Sequence, residues 1–449
     1  MQQELTKDFA ADLVRKAVGK GASAAEVILR ERTEFSVTLR FGDVEMLKQS
    51  TDRGFGLRVL LDGRQASVSG SDFSTDAINE SIVQAIEMAR VTSPDDSAGL
   101  PELNELARQI PELDLFDPAV ASISTEERIE MAKRAEQEAR DTSSKIVNFD
   151  GGGFDSSYGF MVLANSLGFV GEYWGSNCSL TVVPVASENG KMQRDYWYDV
   201  RRKLSDLDSP ERIGAEAARR ALRKLGARAV PSQTVPVVFE ANVARELIGD
   251  IFEAVSGESI FRKASFMVGQ LGETVASTNV TVVDDGLIKS ALGSRPFDGE
   301  GLPTRQTTVV DHGVLTSYLL NTYTARKLAM RSTGNASRAL VGNPGVGPGN
   351  LYLQPGKHTP AQVIGSVSNG LYVTELLGFG VNVVNGDYSR SASGMWIENG
   401  ELAFPVQGVT IAGNLKEMLA SVEMVADDLE HRGTIVSPTL LIGRMTVSA

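Results

Sequence analysis

The feature that most constrains the fold is an order of predicted elements that occurs twice in the first half of the chain. Hydrophobic periodicity predicts a helix, a run of short strands and a second helix over residues 3–90. The same order returns over residues 125–225, after a segment rich in Pro, Asp and Ser. Repetition of one supersecondary unit indicates an internal duplication. Residues 1–230 are therefore predicted to form an α+β N-terminal domain.

The pattern changes from residue 231 onward, where one helix is followed by short β segments and Gly-containing turns. His312-Gly313 and Asn399-Gly400 predict hairpin turns, because Asn and Gly accept the positive φ angles that two-residue hairpin loops need. A Gly-, Asn- and Pro-rich loop is expected over Thr333–Asn350. The predicted fold class is α+β, with a β-rich C-terminal domain over residues 231–449 after the N-terminal domain.

Composition excludes several classes of protein. The 44 Lys and Arg residues against 57 Asp and Glu give a net charge of −13, which argues against binding nucleic acid. Cys178 is the single cysteine, so no intramolecular disulfide forms, and a buried structural thiol is expected because no activating base is identifiable. No apolar run approaches the roughly 20 residues of a membrane span. We expect a cytoplasmic protein without a membrane segment.

One predicted helix and the loop after it lie at the start of the β-rich domain, over Asn242–Phe266. Apolar residues recur at helical spacing and form one face. We predict that Asn242 caps the helix, because its side chain accepts bonds from first-turn amides. We also predict that Gly257 ends the helix in the left-handed conformation that glycine adopts cheaply.

Three further runs carry a family resemblance: Gly378–Asn382, Asn385–Arg390 and Trp396–Leu415. They resemble the TldD/PmbA family, which is also linked to modulation of DNA gyrase, and most closely its PmbA (TldE) branch. The resemblance spans essentially the full length and is strongest from about residue 232. The Gly-x-Gly of the first run is no dinucleotide loop, because a strand follows it and not a helix.

The resemblance also implies a lost metal site. In the TldD branch the helix described above carries a His-Glu-x-x-x-His metal motif, and here the frame runs from Phe252 through Glu253 to Gly257. Phe252 and Gly257 have no lone pair for zinc, and the region 430–434, where the family places a cysteine ligand, has no cysteine. Glu253, the general base that the resemblance implies, would have no metal-bound water to act on. The predicted degenerate motif therefore contains no catalytic or metal-binding residue.

The family resemblance implies a function for such a chain. It implies the non-catalytic subunit of a TldD/TldE-like metallopeptidase complex that degrades or trims unfolded peptides, with zinc in the TldD-like partner and no cofactor in this chain. Two alternatives stay open. One is a stand-alone peptide-binding or adaptor protein, and the other is an active metallopeptidase with unrecognised ligands. Besides the TldD-like partner, a homodimer of this chain is also possible.

Candidate peptide-cleft residues come from the family-like runs and the long loop. These candidates are Arg338, Gly378, Gly380, Asn382, Asp387 and Tyr388. The runs are either strands that edge a cleft, where an extended peptide adds as another strand, or tight turns of a β core. Arg338 either pairs with a peptide carboxylate or lies solvated in its loop.

Two acidic turns and the histidines are candidate metal ligands by residue type alone. Asp284-Asp285-Gly286 and Asp298-Gly299-Glu300-Gly301 offer carboxylates, but their places beside glycine favour an architectural role in turns. The histidines are scattered, with none paired at helical spacing; they are His312, His358 and His431.

Overall fold

The structure is a computed structural model that describes residues 4–448. Its N-terminal part is one seven-stranded antiparallel sheet in the order β3-β2-β1-β4-β5-β6, with β7 also paired to β5. The strands are β1 (Ala24–Arg40), β2 (Asp43–Leu61), β3 (Arg64–Gly70), β4 (Ile146–Asn165), β5 (Val170–Glu188), β6 (Lys191–Arg194) and β7 (Trp197–Arg201). The two predicted repeats thus contribute adjacent strands to a single sheet.

Several strands that the sequence splits are continuous in the structure. The polar residues in the middle of β1 do not interrupt the strand, because they pair with residues of β2. Arg53 Nε lies 2.6 Å from a Glu31 carboxylate oxygen, and the Thr33 and Thr51 hydroxyls are 2.9 Å apart. Cross-strand pairs of this kind stabilise a ladder without apolar side chains, so four strands reach 17 to 20 residues.

Helices cover the sheet in two groups that follow the predicted duplication. The helices are α1 (Lys7–Gly19), α2 (Thr75–Val91), α3 (Pro118–Ser122), α4 (Thr125–Thr142) and α5 (Pro210–Arg223). The apolar faces of α1 and α2 share one core with β1, β2 and β4, whereas α4 and α5 share a second core with β4 and β5. Ser74 caps α2 by accepting from the amide of Ala77. The predicted repeat order is confirmed.

The C-terminal part is β-rich, as predicted, and its largest sheet closes on itself. Strand order is β15-β8-β21-β18-β17-β16, and β15 also pairs with β17. A smaller sheet has the order β11-β10-β9-β14-β20. The strands are β8 (Gln233–Phe239), β9 (Val282–Asp285), β10 (Gln306–Asp311), β11 (Val314–Leu315), β12 (Ala336–Ser337), β13 (Gly345–Val346), β14 (Asn350–Leu353), β15 (Asn369–Leu377), β16 (Val381–Asn382), β17 (Asp387–Glu398), β18 (Glu401–Asn414), β19 (Val422–Val425), β20 (Ile435–Val436) and β21 (Leu440–Ser448).

Helices of the C-terminal part are short, apart from the first. They are α6 (Ala241–Val255), α7 (Gly257–Phe261), α8 (Thr322–Lys327), α9 (Pro360–Gly365) and α10 (Leu415–Ala420). The apolar face of α6 packs into the largest core of the molecule, among residues of both C-terminal sheets. The predicted hairpins form at His312-Gly313 and Asn399-Gly400, where all four residues have positive φ. The sequence therefore predicts these local turns correctly.

The two halves of the chain are joined by polar contacts that range from exposed to fully buried. The segment between α2 and α3 crosses to the C-terminal part, where Lys327 Nζ lies 2.8 Å from Asp95 and Arg326 donates to the Leu100 carbonyl at 2.6 Å. Glu26 of β1 also reaches across, because its carboxylate pairs with Arg338 of the long C-terminal loop. Within residues 4–448, no helix is long and apolar enough to cross a membrane.

Candidate functional site

Both ends of α6 differ from the sequence prediction. Glu240 and not Asn242 is the N-cap residue, and no side chain bonds to the first-turn amides. At the other end, Ser256 has extended backbone and pairs with Leu319, whose carbonyl accepts from the Gly257 amide at 2.9 Å. Gly257 then begins α7 and has no positive φ. The predicted Asn242 cap and left-handed Gly257 are wrong, because tertiary pairing with Leu319 sets the end of the helix.

Glycine is needed at position 257 for space. A Cβ atom there would lie 2.6 Å from Thr324 Cβ and 2.7 Å from Leu320 Cδ2, both well inside van der Waals contact. Phe252 packs its half-buried ring against the main core, while Glu253 is exposed. The two positions where the family resemblance implies histidines are thus occupied by core packing in this chain.

The donors of this chain do not fit a zinc ion at the motif. Glu253 is the one side chain of the frame Phe252–Gly257 with metal-ligating chemistry. Across residues 4–448, no three His, Cys, Asp or Glu side chains come together in an arrangement that would hold a metal. The histidines lie apart: His312 is exposed in its hairpin, His358 is exposed beside Ala426, and His431 packs edge-on against Tyr352.

The polar face of α6 forms the most unusual electrostatic site beside the motif. Glu246, Asp250 and Glu253 are spaced four and three residues apart, so they lie on one side of the helix. Arg390 of β17 pairs with Glu246. Burial raises the pKa of Asp250 to about 7; the Arg390 charge opposes this, whereas the charges of Glu246 and Glu253 add to it. A single cation therefore faces three carboxyl groups.

Asp250 has an unused hydrogen-bonding atom in this cluster. Its Oδ2 is buried and has no partner among the described residues. Tyr388, one of the predicted cleft residues, is 2% exposed and has Arg390, Asp250 and Glu246 as charged neighbours. Burial raises the pKa of Tyr388 above its usual range, so its hydroxyl stays neutral. The cluster can therefore supply two neutral O–H donors, from Asp250 and Tyr388, next to one guanidinium.

The other predicted cleft residues lie on the segment that leads into Tyr388. Gly378 has positive φ in an exposed turn after β15, and Gly380 accepts from the Ser389 amide at 2.7 Å. Asn382 in β16 and Asp387 at the start of β17 are exposed and pair with each other across the hairpin. Four of the five residues on this segment are thus turn and edge residues, and the fifth, Tyr388, faces the α6 cluster.

Free strand edge is scarce on this segment. β16 has two residues, and the carbonyl of the next residue, Val383, already accepts from the Phe266 amide at 2.9 Å. A peptide that added as a further strand would find few unpaired backbone groups here.

Arg338 does not join this group. Its side chain is 3% exposed and forms an ion pair with Glu26, which is fully buried and also pairs with Arg58. Burial alone would raise the pKa of Glu26, but the charges of Arg338 and Arg58 outweigh it and lower that pKa. Both predictions for Arg338, a peptide-carboxylate contact and a solvated loop arginine, are corrected: it holds the two halves of the chain together.

The acidic turns have the architectural geometry that the sequence indicates. Asp284 accepts from Asn335 Nδ2 and from the Gly349 amide, both at 2.7 Å. Asp298 accepts from three backbone amides, those of Glu300, Leu302 and Ala336, at 2.9–3.0 Å. Their oxygens are thereby committed to loop backbone.

Cys178 is fully buried, as predicted. Burial raises the pKa of its thiol to about 12, so the sulfur is protonated and not nucleophilic at neutral pH.

Sequence reasoning missed Asp250, Glu246 and Arg390 as members of one cluster. A signal for the first two was present, since acids at helical spacing opposite an apolar stripe mark one polar face. Nothing local indicated that β17 would bring Arg390 onto that face.

Comparison with protein families assigns the whole C-terminal part and most of the N-terminal part. Models of the PmbA/TldA metallopeptidases match as domain 1 over residues 25–89, as the central domain over 118–225 and as the C-terminal domain over 232–449. The metalloprotease PmbA of Escherichia coli O157:H7 is 38% identical over 447 residues, covering 100% of this chain and 97% of that protein. A TldD homologue of Haemophilus influenzae is 27% identical over 326 residues, covering 69% and 66%.

Solved structures show the same fold. A candidate modulator of DNA gyrase from Bacteroides thetaiotaomicron superposes with a TM-score of 0.92 at 28% identity, covering 100% of both chains. TldE from Thermococcus kodakarensis has a TM-score of 0.88 at 23% identity, covering 98% of this chain and 99% of its own, which shows likeness of fold alone.

Proposed function

The chain belongs to the PmbA/TldD metallopeptidase family, and we propose that it is the subunit without a metal site in a complex with a TldD-like metallopeptidase. In this complex the partner holds zinc, and the substrates are unfolded peptides in the cytoplasm. The existence of both TldD-type and TldE-type members among similar proteins supports a pair of related subunits.

One observation carries the proposal: the metal-ligand positions of the motif are filled by packing. Phe252 contributes a ring to the core, and Gly257 lies so close to Thr324 and Leu320 that no side chain fits there. A histidine at position 257 would need the local backbone to change. A chain built this way retains the fold of the family and contributes it to a partner that supplies the metal.

An apolar segment beside the predicted cleft residues is suited to the partner contact. Phe379 is completely exposed, and Leu377 and Val384 near it are 52% and 57% exposed. Exposed apolar side chains in a group are typical of protein interfaces. The segment runs from the end of β15 through β16 and comes shortly before Tyr388 in the chain.

Co-expression with a TldD-like protein from the same genome tests the proposal. We expect the two chains to co-purify at a one-to-one ratio, and we expect cleavage of unstructured peptides by the complex that a chelator abolishes. Cleavage by this chain alone, lost on chelation and following it through chromatography, would overturn the proposal.

Point substitutions test this interface. A deletion of the region would not, because β17 and β18 are part of the closed sheet and removing them would unfold it. Phe379→Asp should weaken co-purification, while the control Val341→Asp, at an exposed apolar residue of another loop, should not. Equal binding by both variants would remove the Leu377–Val384 segment from the interface.

A further inference from the structure

A second polar pocket lies away from the α6 cluster, on the open face of the N-terminal sheet. Residues of β1, β4 and β5 line a cavity of about 220 Å³, and Arg202, which follows β7, closes one side. Its lining includes the side chains of Arg30, Tyr173, Ser157 and Asn177. Arg32 and Glu31 also line the cavity, so the pocket brings three arginines, one acid and several neutral polar groups to one place.

Arg202 is held in a fixed position by backbone carbonyls. Its guanidinium donates to the carbonyls of Leu292 at 2.6 Å and of Ala291 and Ser176 at 3.3 Å each. Gly175 leaves space for it, because a Cβ there would lie 3.1 Å from Arg202 Nη1. Burial lowers the pKa of Arg202, and no carboxylate among the described residues pairs with it. The charge of this arginine is therefore positioned but not neutralised.

Arg30 faces the same space and also lacks a carboxylate. One of its Nη atoms donates to the Arg338 carbonyl at 3.4 Å, and it forms no ion pair with a described residue. The charged neighbours of Tyr173 are Arg295, Arg202 and Arg30, with no acid among them. The Tyr173 hydroxyl makes no hydrogen bond to another described group. A free phenol therefore lies among cations.

The acids near the rim are already paired. Glu31 lies 2.6 Å from Arg53 Nε, and Glu34 lies 2.9 Å from Arg32 Nε. Ser157 Oγ accepts from Arg32 and from Asn177, each at 3.0 Å, which leaves its own hydrogen free to donate. In a chain with a net charge of −13, two unneutralised arginines in one half-buried pocket are a marked local excess of positive charge.

We propose that this pocket binds a small oxyanion, namely a carboxylate or phosphate group at the end of a ligand. Guanidinium groups match both anions with paired, charge-assisted hydrogen bonds. The phenol of Tyr173 and the hydroxyl of Ser157 add neutral donors. At about 30 Å³ per water, the cavity has room for roughly seven waters, which suits the charged end of a molecule. The site is independent of the proposed partner, because this chain supplies all of its groups.

Calorimetric titration of the purified full-length chain in low-salt buffer tests the site. The probes are inorganic phosphate, a short peptide with a free terminal carboxylate, and the same peptide as its amide. We expect saturable binding of phosphate or of the free-acid peptide, weakening as salt is added. Binding of one probe and not the other identifies the source of the anion. No saturable binding of either phosphate or the free-acid peptide, or saturable binding of the acid and amide peptides with equal affinity, would overturn the proposal.

Three variants and a matched control locate the binding. Arg30→Gln should weaken binding about tenfold and Tyr173→Phe a few-fold, as expected for loss of a charged and a neutral hydrogen bond. Arg202→Gln should abolish binding, and circular dichroism reports whether that variant folds. The control is Arg64→Gln, because Arg64 also donates to backbone carbonyls, those of Arg90 and Thr92 at 2.8 and 3.0 Å, and lies outside the pocket. Equal affinity of Arg30→Gln and the control would refute the site.

Discussion

Glu26 and Asp250 are acidic side chains held away from water in opposite surroundings. At the junction of the two halves, the Glu26 carboxylate is fully buried between Arg58 and Arg338, and these cations lower its pKa. On α6, Asp250 is partly buried among other acids with Arg390 as the nearby cation, and its pKa rises to about 7. Burial alone therefore does not set the pKa of a carboxyl group. The number of cations close to it decides whether that pKa is lowered or raised.

The difference separates a structural contact from a candidate functional one. A buried acid with two arginines fixes the relative position of β1 and the long C-terminal loop. An acid that holds its proton near neutral pH is available as a donor, and perturbed groups of this kind concentrate at functional sites. The family motif, although it has no metal ligands here, lies on the same helix as the second kind of acid.

The largest expected loss of stability is at the contact between Glu26 of β1 and Arg338 of the long C-terminal loop. Arg338→Ala leaves Glu26 buried with one cation, and loss of one partner from a buried ion pair costs about 3–5 kcal/mol. We expect a loss of that order in the unfolding free energy measured with denaturant. The control Arg212→Ala removes an arginine whose side chain is 64% exposed and pairs with Asp208, so its cost should stay below about 1 kcal/mol. Similar losses for both variants would show that Glu26 does not depend on Arg338.

The next largest expected loss of stability is at Gly257, directly after the C-terminal end of α6. Gly257→Ala places a methyl group within 2.6–2.7 Å of Thr324 and Leu320, so we expect a loss of about 1–3 kcal/mol in unfolding free energy. Gly249→Ala is the matched control, since no atom lies within 4 Å of its added Cβ in mid-helix, and it should gain about 0.5–1 kcal/mol. A neutral or stabilising Gly257→Ala would contradict the packing argument.

The same argument covers an attempt to rebuild the metal motif. Phe252→His with Gly257→His restores both histidines around Glu253, but the second one enters the crowded space beside Thr324. We expect lower stability, weak zinc binding at best and no peptide cleavage. Zinc titration and a peptidase assay on the double variant check this, and tight one-to-one binding with cleavage would show that only the histidines were missing.

The fold was predictable where local chemistry decides the structure. The turns at His312-Gly313 and Asn399-Gly400 and the repeated element order all follow from short segments. The lengths of the strands did not follow, because the pairing of Glu31 with Arg53 joins residues far apart in sequence. The prediction for Gly257 is wrong for the same reason: glycine suits a left-handed helix end and also close packing, and the contact with Thr324, 67 residues away, decides which applies.

The candidate site was less predictable than the fold. Tyr388 was selected from its family-like run and does lie in the α6 cluster. Arg338 was selected for its loop, yet its partner Glu26 is 312 residues away. Ion pairs between residues so far apart leave no periodic signal in a sequence. The sequence therefore predicts neither the contact between Glu26 and Arg338 nor the proposed oxyanion pocket around Arg202.

The third expected change in unfolding free energy depends on pH and comes from the carboxyl group of Asp250. The pKa is raised on folding, to about 7 from an unfolded value of about 3.9. Its contribution therefore stabilises the fold below about pH 4 and is lost as the pH rises through about 7. Asp250→Asn should match the natural chain below about pH 4 and exceed its unfolding free energy by about 1–3 kcal/mol at pH 8, after allowance for solvent screening.

The control for this pH dependence is Asp43→Asn, at an exposed residue of the first hairpin. It should shift stability by less than about 0.5 kcal/mol at both pH values. If Asp250→Asn gives the same small change, Asp250 ionises freely in the folded state and the contrast with Glu26 fails.

The smallest expected effect is at Glu253, the surviving residue of the motif. Its side chain is exposed, so Glu253→Gln should change the unfolding free energy by less than about 0.5 kcal/mol. Its charge nevertheless helps to raise the pKa of Asp250, because like charges disfavour a second ionisation nearby. The variant should therefore lower that pKa slightly, and ¹³C NMR titration of the Asp250 carboxyl measures the change. Glu258→Gln, in α7 and not among the charges that act on Asp250, should leave the titration unaltered. An identical Asp250 titration in both variants would show that Glu253 does not act on the α6 cluster, and the raised pKa would then rest on burial and Glu246 alone.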